Sequence, residues 1–253
     1  MQIIPLPAFH DNYIWLLRND THAVVVDPGD ASPVIAFLED HGLSLAAILV
    51  THHHPDHTRG VPALLTRYSV PVFGPALEEI AGVSHPVSQG DQVRLPGLDV
   101  TLEVMDVPGH TAGHVAYHGE GALFCGDTLF AAGCGRLFEG TPAQMFDSLS
   151  RLTALPEATL TYCTHEYTLS NLAFAQAVEP DNPHIARRIT ECGILRAKGL
   201  PTIPFPLGGE LLTNPFLRVT QLAVIRQAEL HAACALESPV AVFAALREWK
   251  NHF

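Results

Sequence analysis

The stretch "LAAILVTHHHPDH", residues 45–57, decides how the rest of the chain is read. Its first half, Leu45–Val50, is a short continuous apolar run, which at this length reads as a buried strand. Its second half sets His52, His54, Asp56 and His57 at the strand's end, on a turn that enters a helix near Thr58. A single histidine in such a place is an ordinary surface or core residue. The H-x-H-x-D-H spacing instead brings together four donors of the kind that zinc, iron and manganese accept, on a rigid element end from which side chains converge.

Three further positions share this habit of closing a strand-like run: His110 in "VMDVPGH", Asp127 in "ALFCGD" and His165 in "TLTYCTH". Strand ends on one edge of a sheet meet in space although they are distant in sequence. His52, His54, Asp56, His57, His110, Asp127 and His165 are more ligands than one tetrahedral ion takes. Two ions sharing a bridging carboxylate would absorb them. With no cysteine in the set, a catalytic centre with an open position fits better than a closed structural one. His53 is left out because it should point away from its neighbours, and His114 because a plain hydrogen-bonding role is open to it. Asp27 also ends a strand, but Asp-Pro-Gly in "VVVDPGD" reads as a turn.

Outward from these segments, "NYIWLL", "AVVVD", "VPVF", "DVTLEV" and "HVAYH" carry strand composition, with Val100, Leu102 and Val104 in alternation. Between them "SPVIAFLEDHG" reads as a helix capped by Ser32, with Pro33 in its first turn and Gly42 as its stop. Strands interleaved with helices predict a layered α/β domain. From about Thr168 the punctuation becomes helical. Asn182 and Pro183 open one segment that Gly199 stops, and Ser238 and Pro239 open another. The stretch "GLPTIPFPLGGE" between them reads as a long irregular connection.

The totals bound the partners. The chain has 253 residues, 47% of them hydrophobic, enough for a sizeable core. Lys plus Arg number 14 against 26 Asp plus Glu, a formal net charge of -12. That field repels phosphate backbones and anionic lipid, so neither nucleic acid nor membrane is an expected partner. The five cysteines are odd in number and widely spaced, as in a reduced compartment. The start "MQIIPLPAFHDNY" has neither a basic n-region nor a sustained apolar core. A cytoplasmic location is expected.

The "THHHPDH" cluster resembles the T-H-x-H-x-D-H signature of the metallo-β-lactamase superfamily, and "PGHTAGH", "CGDTLF" and "THEYT" resemble its remaining ligand segments. "CGDTLFAAGCGRLFEGTP", "THEYTLSNLAFA", "EPDNP", "TNPFLR" and "LREWKNHF" are similar to the narrower glyoxalase II, or hydroxyacylglutathione hydrolase, family. The resemblance implies an αββα sandwich over residues 1–166 and a C-terminal helical, substrate-binding domain over 167–253. It implies one metal on His52, His54 and His110, a second on Asp56, His57 and His165, and Asp127 bridging them. Zinc is the expected metal, with iron or manganese as the alternatives.

The implied reaction is hydrolysis of S-D-lactoylglutathione to D-lactate and glutathione, the second step of methylglyoxal detoxification. The metals activate water as nucleophile, so no Ser or Cys nucleophile is needed, and Asp56 and Asp127 act as ligands and orienters. Arg247 and Lys250, three residues apart on the last expected helix, share a face. Alone they read as a solvated helix end; the resemblance assigns them to a glutathione carboxylate, with Arg136 and Tyr167 as further contacts. Phe138 stands where some relatives have tyrosine and is left out of the binding set. A monomer is expected. The alternatives are a glutathione persulfide dioxygenase using a single iron and, outside enzymes, a module that only holds metal.

Overall fold

The first strand is one that its composition hides. β1 (Gln2–Ala8) contains Pro5 and Pro7, which cannot donate to a ladder, yet it pairs antiparallel with β2 (Asn12–Arg18) along its whole length. It lies at the edge of its sheet, where a missing N–H costs nothing. The computed structural model describes every residue from Met1 to Phe253. Its internal contacts divide the chain into two units, Met1–Val107 with Thr111–Gly126, and Pro108–His110 with Asp127–Phe253.

In the first unit the chain continues through β3 (His22–Val26), α1 (Ala31–His41), β4 (Ser44–Leu49), α2 (Pro55–Thr58), α3 (Val61–Arg67), β5 (Val72–Pro75) and β6 (His85–Val87). β3, β4, β5 and β6 are successive parallel neighbours, and helices connect β3 to β4 and β4 to β5. Val34 and Leu38 of α1 and Val61 and Leu64 of α3 pack with Ile14, Leu16, Val25 and Ile48 of the sheet. Trp15, Leu17, Val24 and Leu49, which alternate with these, are equally buried. Both faces are therefore covered, which explains why these strands read as unbroken apolar runs. Each such buried Val, Leu or Ile contributes about 1.5–3 kcal/mol.

The same unit holds a second set of antiparallel neighbours, β7 (Gln92–Leu95), β8 (Val100–Asp106), β9 (Val115–Gly119) and β10 (Ala122–Gly126). β8 alternates buried and exposed from Val100 to Val104, as its sequence predicts.

Two local expectations are corrected here. α1 is capped by Asp30, whose side chain accepts from the Ser32 N–H, and not by Ser32. Pro33 then falls two positions deeper in the first turn, where its missing N–H still has no intrahelical partner to lose. α2 also begins earlier than expected, at Pro55, so Asp56 and His57 stand on the helix itself.

The second unit opens with Pro108–His110 and resumes with a short hairpin, β11 (Leu129–Phe130) and β12 (Gly133–Cys134). It continues through α4 (Pro142–Leu152), β13 (Leu160–Cys163), α5 (Thr168–Val178), α6 (Pro183–Ala197), β14 (Phe205–Pro206), α7 (Leu207–Thr213), α8 (Leu222–Ala232) and α9 (Pro239–Asn251). Asn182 and Ser238 cap α6 and α9 as expected. "GLPTIPFPLGGE" is not wholly irregular: Phe205–Pro206 pairs with β13, and α7 starts at Leu207. That order comes from tertiary partners, with Leu207, Glu210 and Thr213 buried. Leu172, Ala175, Ile185 and Cys192 form a core between α5 and α6. Cys125, Cys134, Cys163, Cys192 and Cys234 are free thiols, and no helix is long and apolar enough to cross a membrane.

Candidate metal centre

Parallel pairing puts the ends of β3 and β4 side by side, and the first set of donors grows from that edge. The Asp27 N–H donates to the Leu49 carbonyl at 2.9 Å. The Asp27 carboxylate in turn accepts from the Thr51 N–H at 2.8 Å and the Thr51 hydroxyl at 2.7 Å, and its Oδ2 lies 3.0 Å from His57 Nδ1. With Nδ1 held by a carboxylate, His57 presents Nε2 as its free donor position. This buried Nε2 is not satisfied by any hydrogen bond, and the Asp56 carboxylate is 3.6 Å away. Thr51 Oγ1 is 3.1 Å from His52 Nδ1, which turns His52 Nε2 outward to within 3.1 Å of His54 Nδ1. Asn12 Nδ2 donates to Asp56 Oδ2 at 3.1 Å. His52, His54, Asp56 and His57 are thus brought together, each imidazole with a ring nitrogen turned to the others.

His53 leaves this set: it pairs with the buried Glu78 at 3.1 Å, and Glu78 also accepts from the Thr111 hydroxyl. His114 hydrogen-bonds the Val115 carbonyl at 3.0 Å and stacks on His52, with ring centroids 4.5 Å apart. Asp27 is the functional residue that the sequence reading misses. Its turn-forming Asp-Pro-Gly context is real, but its carboxylate orients a donor 30 residues away. The available signal was its position at a strand end beside the histidine cluster.

The second set lies in the second unit. His110 Nδ1 hydrogen-bonds the Arg136 carbonyl at 2.8 Å, leaving Nε2 3.5 Å from Asp127 Oδ2. His165 Nε2 lies 3.4 Å from the same oxygen. All three residues are buried. Gly135 is required here by close approach, because a Cβ on it would stand 1.9 Å from the Asp127 carbonyl oxygen and 3.1 Å from His110 Nδ1.

These spacings fit a metal better than direct hydrogen bonds. An N–H···O bond is usually 2.7–3.2 Å, which separations of 3.4 and 3.5 Å exceed. Two ligands about 2.0–2.1 Å from a tetrahedral ion lie about 3.3 Å apart. A buried carboxylate such as Asp127, whose Oδ1 no hydrogen bond satisfies, also needs positive charge close by. The donors present fit a divalent cation in kind, orientation and spacing.

The expected substrate contacts also lie in the second unit. Arg247 is buried, with Nη1 2.8 Å from the Cys134 carbonyl and its guanidinium 5.1 Å from the Phe216 ring centroid. Lys250 Nζ donates to the Ser170 carbonyl at 3.2 Å; burial, and secondarily the neighbouring Arg247, push its pKa down to about 8. Arg136 is exposed, and Tyr167 stacks on the His165 ring at 4.7 Å. Phe138 is 60% exposed and sets its ring edge-on to His110.

Comparison with known proteins divides the chain after residue 165, and not where its internal contacts do. Residues 8–165 match the family described as the metallo-beta-lactamase superfamily, and residues 166–253 the family described as hydroxyacylglutathione hydrolase C-terminus. A hydroxyacylglutathione hydrolase of Alkalilimnicola ehrlichii is 57% identical over 252 residues, covering 99% of this chain and 98% of the relative. Its counterpart in Nitrosomonas europaea is 51% identical over 253 residues, covering 100% and 97%. The solved structure of ETHE1 from Myxococcus xanthus superposes with a TM-score of 0.66 at 25% identity, covering 99% of this chain and 98% of that one. The BLEG-1 B3 metallo-beta-lactamase gives a TM-score of 0.63 at 27% identity, covering 85% and 98%. The expected metallo-β-lactamase α/β fold with a C-terminal helical region is borne out.

Proposed function

The chain belongs to the hydroxyacylglutathione hydrolase family of the metallo-β-lactamase superfamily, and on that premise we propose that it hydrolyses S-2-hydroxyacylglutathiones, S-D-lactoylglutathione foremost, to the hydroxy acid and glutathione. The observation that carries the reading is the pair of imidazoles, His110 and His165, set at ligand spacing on one Asp127 oxygen. Two divalent cations would be held, one by His52, His54 and His110, the other by Asp56, His57 and His165, with Asp127 shared. The contacts within each unit, His52 to His54 in the first and His110 and His165 to Asp127 in the second, support this assignment. Zinc is the proposed metal, with iron and manganese as alternatives that N and O donors also accept.

Divalent cations so held would lower the pKa of a coordinated water to roughly 7 and polarise a carbonyl. The chain's own residues do the rest. Asp27, Thr51 and the Arg136 carbonyl fix the tautomers of His57, His52 and His110 through Nδ1, so that each Nε2 lone pair is aimed. Asn12 steadies the Asp56 carboxylate. Arg247 and Lys250 would receive a glutathione carboxylate, and Arg136 and Tyr167 would line the approach. The departing thiolate is a weak base, so no strong protein acid is required.

A division at residues 166/167 into catalytic and substrate-binding domains is proposed, one residue beyond the 165/166 boundary of the two family matches. A monomer in the cytoplasm is proposed from the acidic surface and the free cysteines. The single-iron persulfide dioxygenase and the inert metal module are less well supported, since relatives at 51% and 57% identity carry the hydrolase name.

The test is kcat/KM for S-D-lactoylglutathione against a lactoyl thioester lacking the glutathione moiety. A preference of about tenfold or more, as one charge-assisted contact supplies, supports the reading. Equal rates, or oxygen uptake with glutathione persulfide in place of hydrolysis, would overturn it.

A further inference from the structure

Two motifs, "TNPFLR" and the "AAGCG" after Asp127, have no part in the chemistry above, and the structure joins them. The β11–β12 hairpin turns at Ala131 and Ala132, and Ala132 has φ +55°, a left-handed conformation that a residue with a Cβ seldom adopts. Such a turn persists when its surroundings impose it. Here the buried Glu210 carboxylate of α7 accepts the Ala132 N–H at 2.7 Å, while Arg188 of α6 lies 2.5 Å from its other oxygen. Asn214, also fully buried, donates to the Gly133 carbonyl at 2.9 Å, the Phe130 carbonyl at 3.3 Å and Glu210 itself at 2.9 Å. Asn171 of α5 donates to the Ala131 carbonyl at 3.1 Å and packs so close that a Cβ on Gly133 would stand 2.5 Å from its amide nitrogen. The backbone of Phe130, Ala131, Ala132 and Gly133 is thus held by side chains of α5 and α7 and by Asn214, which follows α7.

What this turn carries is the second donor set. The strand leaving it closes on Thr128 through the Gly135 N–H at 3.2 Å, directly beside Asp127, and one residue later offers the Arg136 carbonyl that fixes the His110 tautomer. We propose that Glu210 and Asn214 are positioning residues for the metal centre: they hold the hairpin so that Asp127 and His110 stand at ligand spacing. The proposal deepens the hydrolase reading and rests on it for the identity of the centre, but the clamp itself is a property of the metal-free chain.

The test compares Glu210→Ala, Asn214→Ala and Glu210→Gln with a control, Glu179→Ala. Glu179 is likewise a buried carboxylate paired with an arginine, Arg218 at 2.7 Å, in the same unit. In metal-free protein, amide hydrogen exchange at Ala132 and Gly135 should quicken about tenfold or more in both alanine variants. Zinc retention against a competing chelator should fall by about tenfold or more in the same two, as is usual when an outer-shell partner is lost. Glu210→Gln keeps an acceptor for the Ala132 N–H and should stay within about threefold of wild type on both readouts. Glu179→Ala should leave both at wild-type values, whatever it does to the melting temperature. If Glu210→Ala fails to fold, Asn214→Ala carries the same comparison. Wild-type exchange and retention in the folded alanine variants, or equal losses in Glu179→Ala, would overturn the proposal. A wild-type chain that binds zinc but cleaves no thioester would instead sink the hydrolase reading, while exchange and retention still decide the clamp.

Discussion

Asp27 accepts three hydrogen bonds, two from Thr51 and one from His57, and stands at φ +52°. Its side chain therefore ties the end of β4 to the ring of His57, a proposed metal ligand. Asn tolerates the same left-handed backbone but brings no charge, so Asp27→Asn isolates the electrostatic part of that tie. Metal affinity should fall about 10-fold with the melting temperature little changed, read by chelator competition; unchanged affinity would remove Asp27 from the centre. Lys250 offers a second handle. With its pKa near 8, its charge is present below that pH and lost above it. KM for the glutathione thioester should rise as pH passes 8 in wild type, and Lys250→Ala should abolish that rise while raising KM about tenfold at neutral pH with metal content intact. Arg247→Ala is a less clean probe, because Arg247 also holds the Cys134 carbonyl, and its loss would disturb the hairpin as well as the substrate.

At the scale of elements, what composition could report was legible and what depended on distant partners was not. β2, β3, β4, β5, β8, β9, β10 and β13 each cover or overlap a stretch whose apolar or alternating content marks a strand. β1 escaped because its prolines argue against a strand everywhere except at an edge, and edge position is a property of the sheet. α7 escaped because its Pro- and Gly-rich approach gives no periodicity, and its order comes from β13 and from the buried Glu210. The α1 cap was misplaced by two residues because Asp30 and Ser32 are both good caps. Asp30→Ala should therefore cost about 1 kcal/mol in urea unfolding and Ser32→Ala only a few tenths; the reverse ranking would restore Ser32 as the cap.

Over the whole molecule, the site was legible to the extent that metal chemistry is written in residue type. The histidine cluster and the strand-end carboxylates named the candidate donors without any structure. The residues proposed to orient the donors, Asp27, Thr51, Asn12 and Glu210, are ordinary in sequence, and their contacts exist only in the fold. With a net charge of -12, the few cations are scarce, and Arg247 and Lys250 are the ones proposed to receive an anionic substrate. The central claim is that hydrolysis depends on metal held jointly by seven side chains. Its most direct test is to strip the protein of metal, add zinc back in steps, and follow S-D-lactoylglutathione hydrolysis against zinc bound per chain. The rate should start near zero and climb until two ions are bound; full hydrolysis by the metal-free chain would contradict the account.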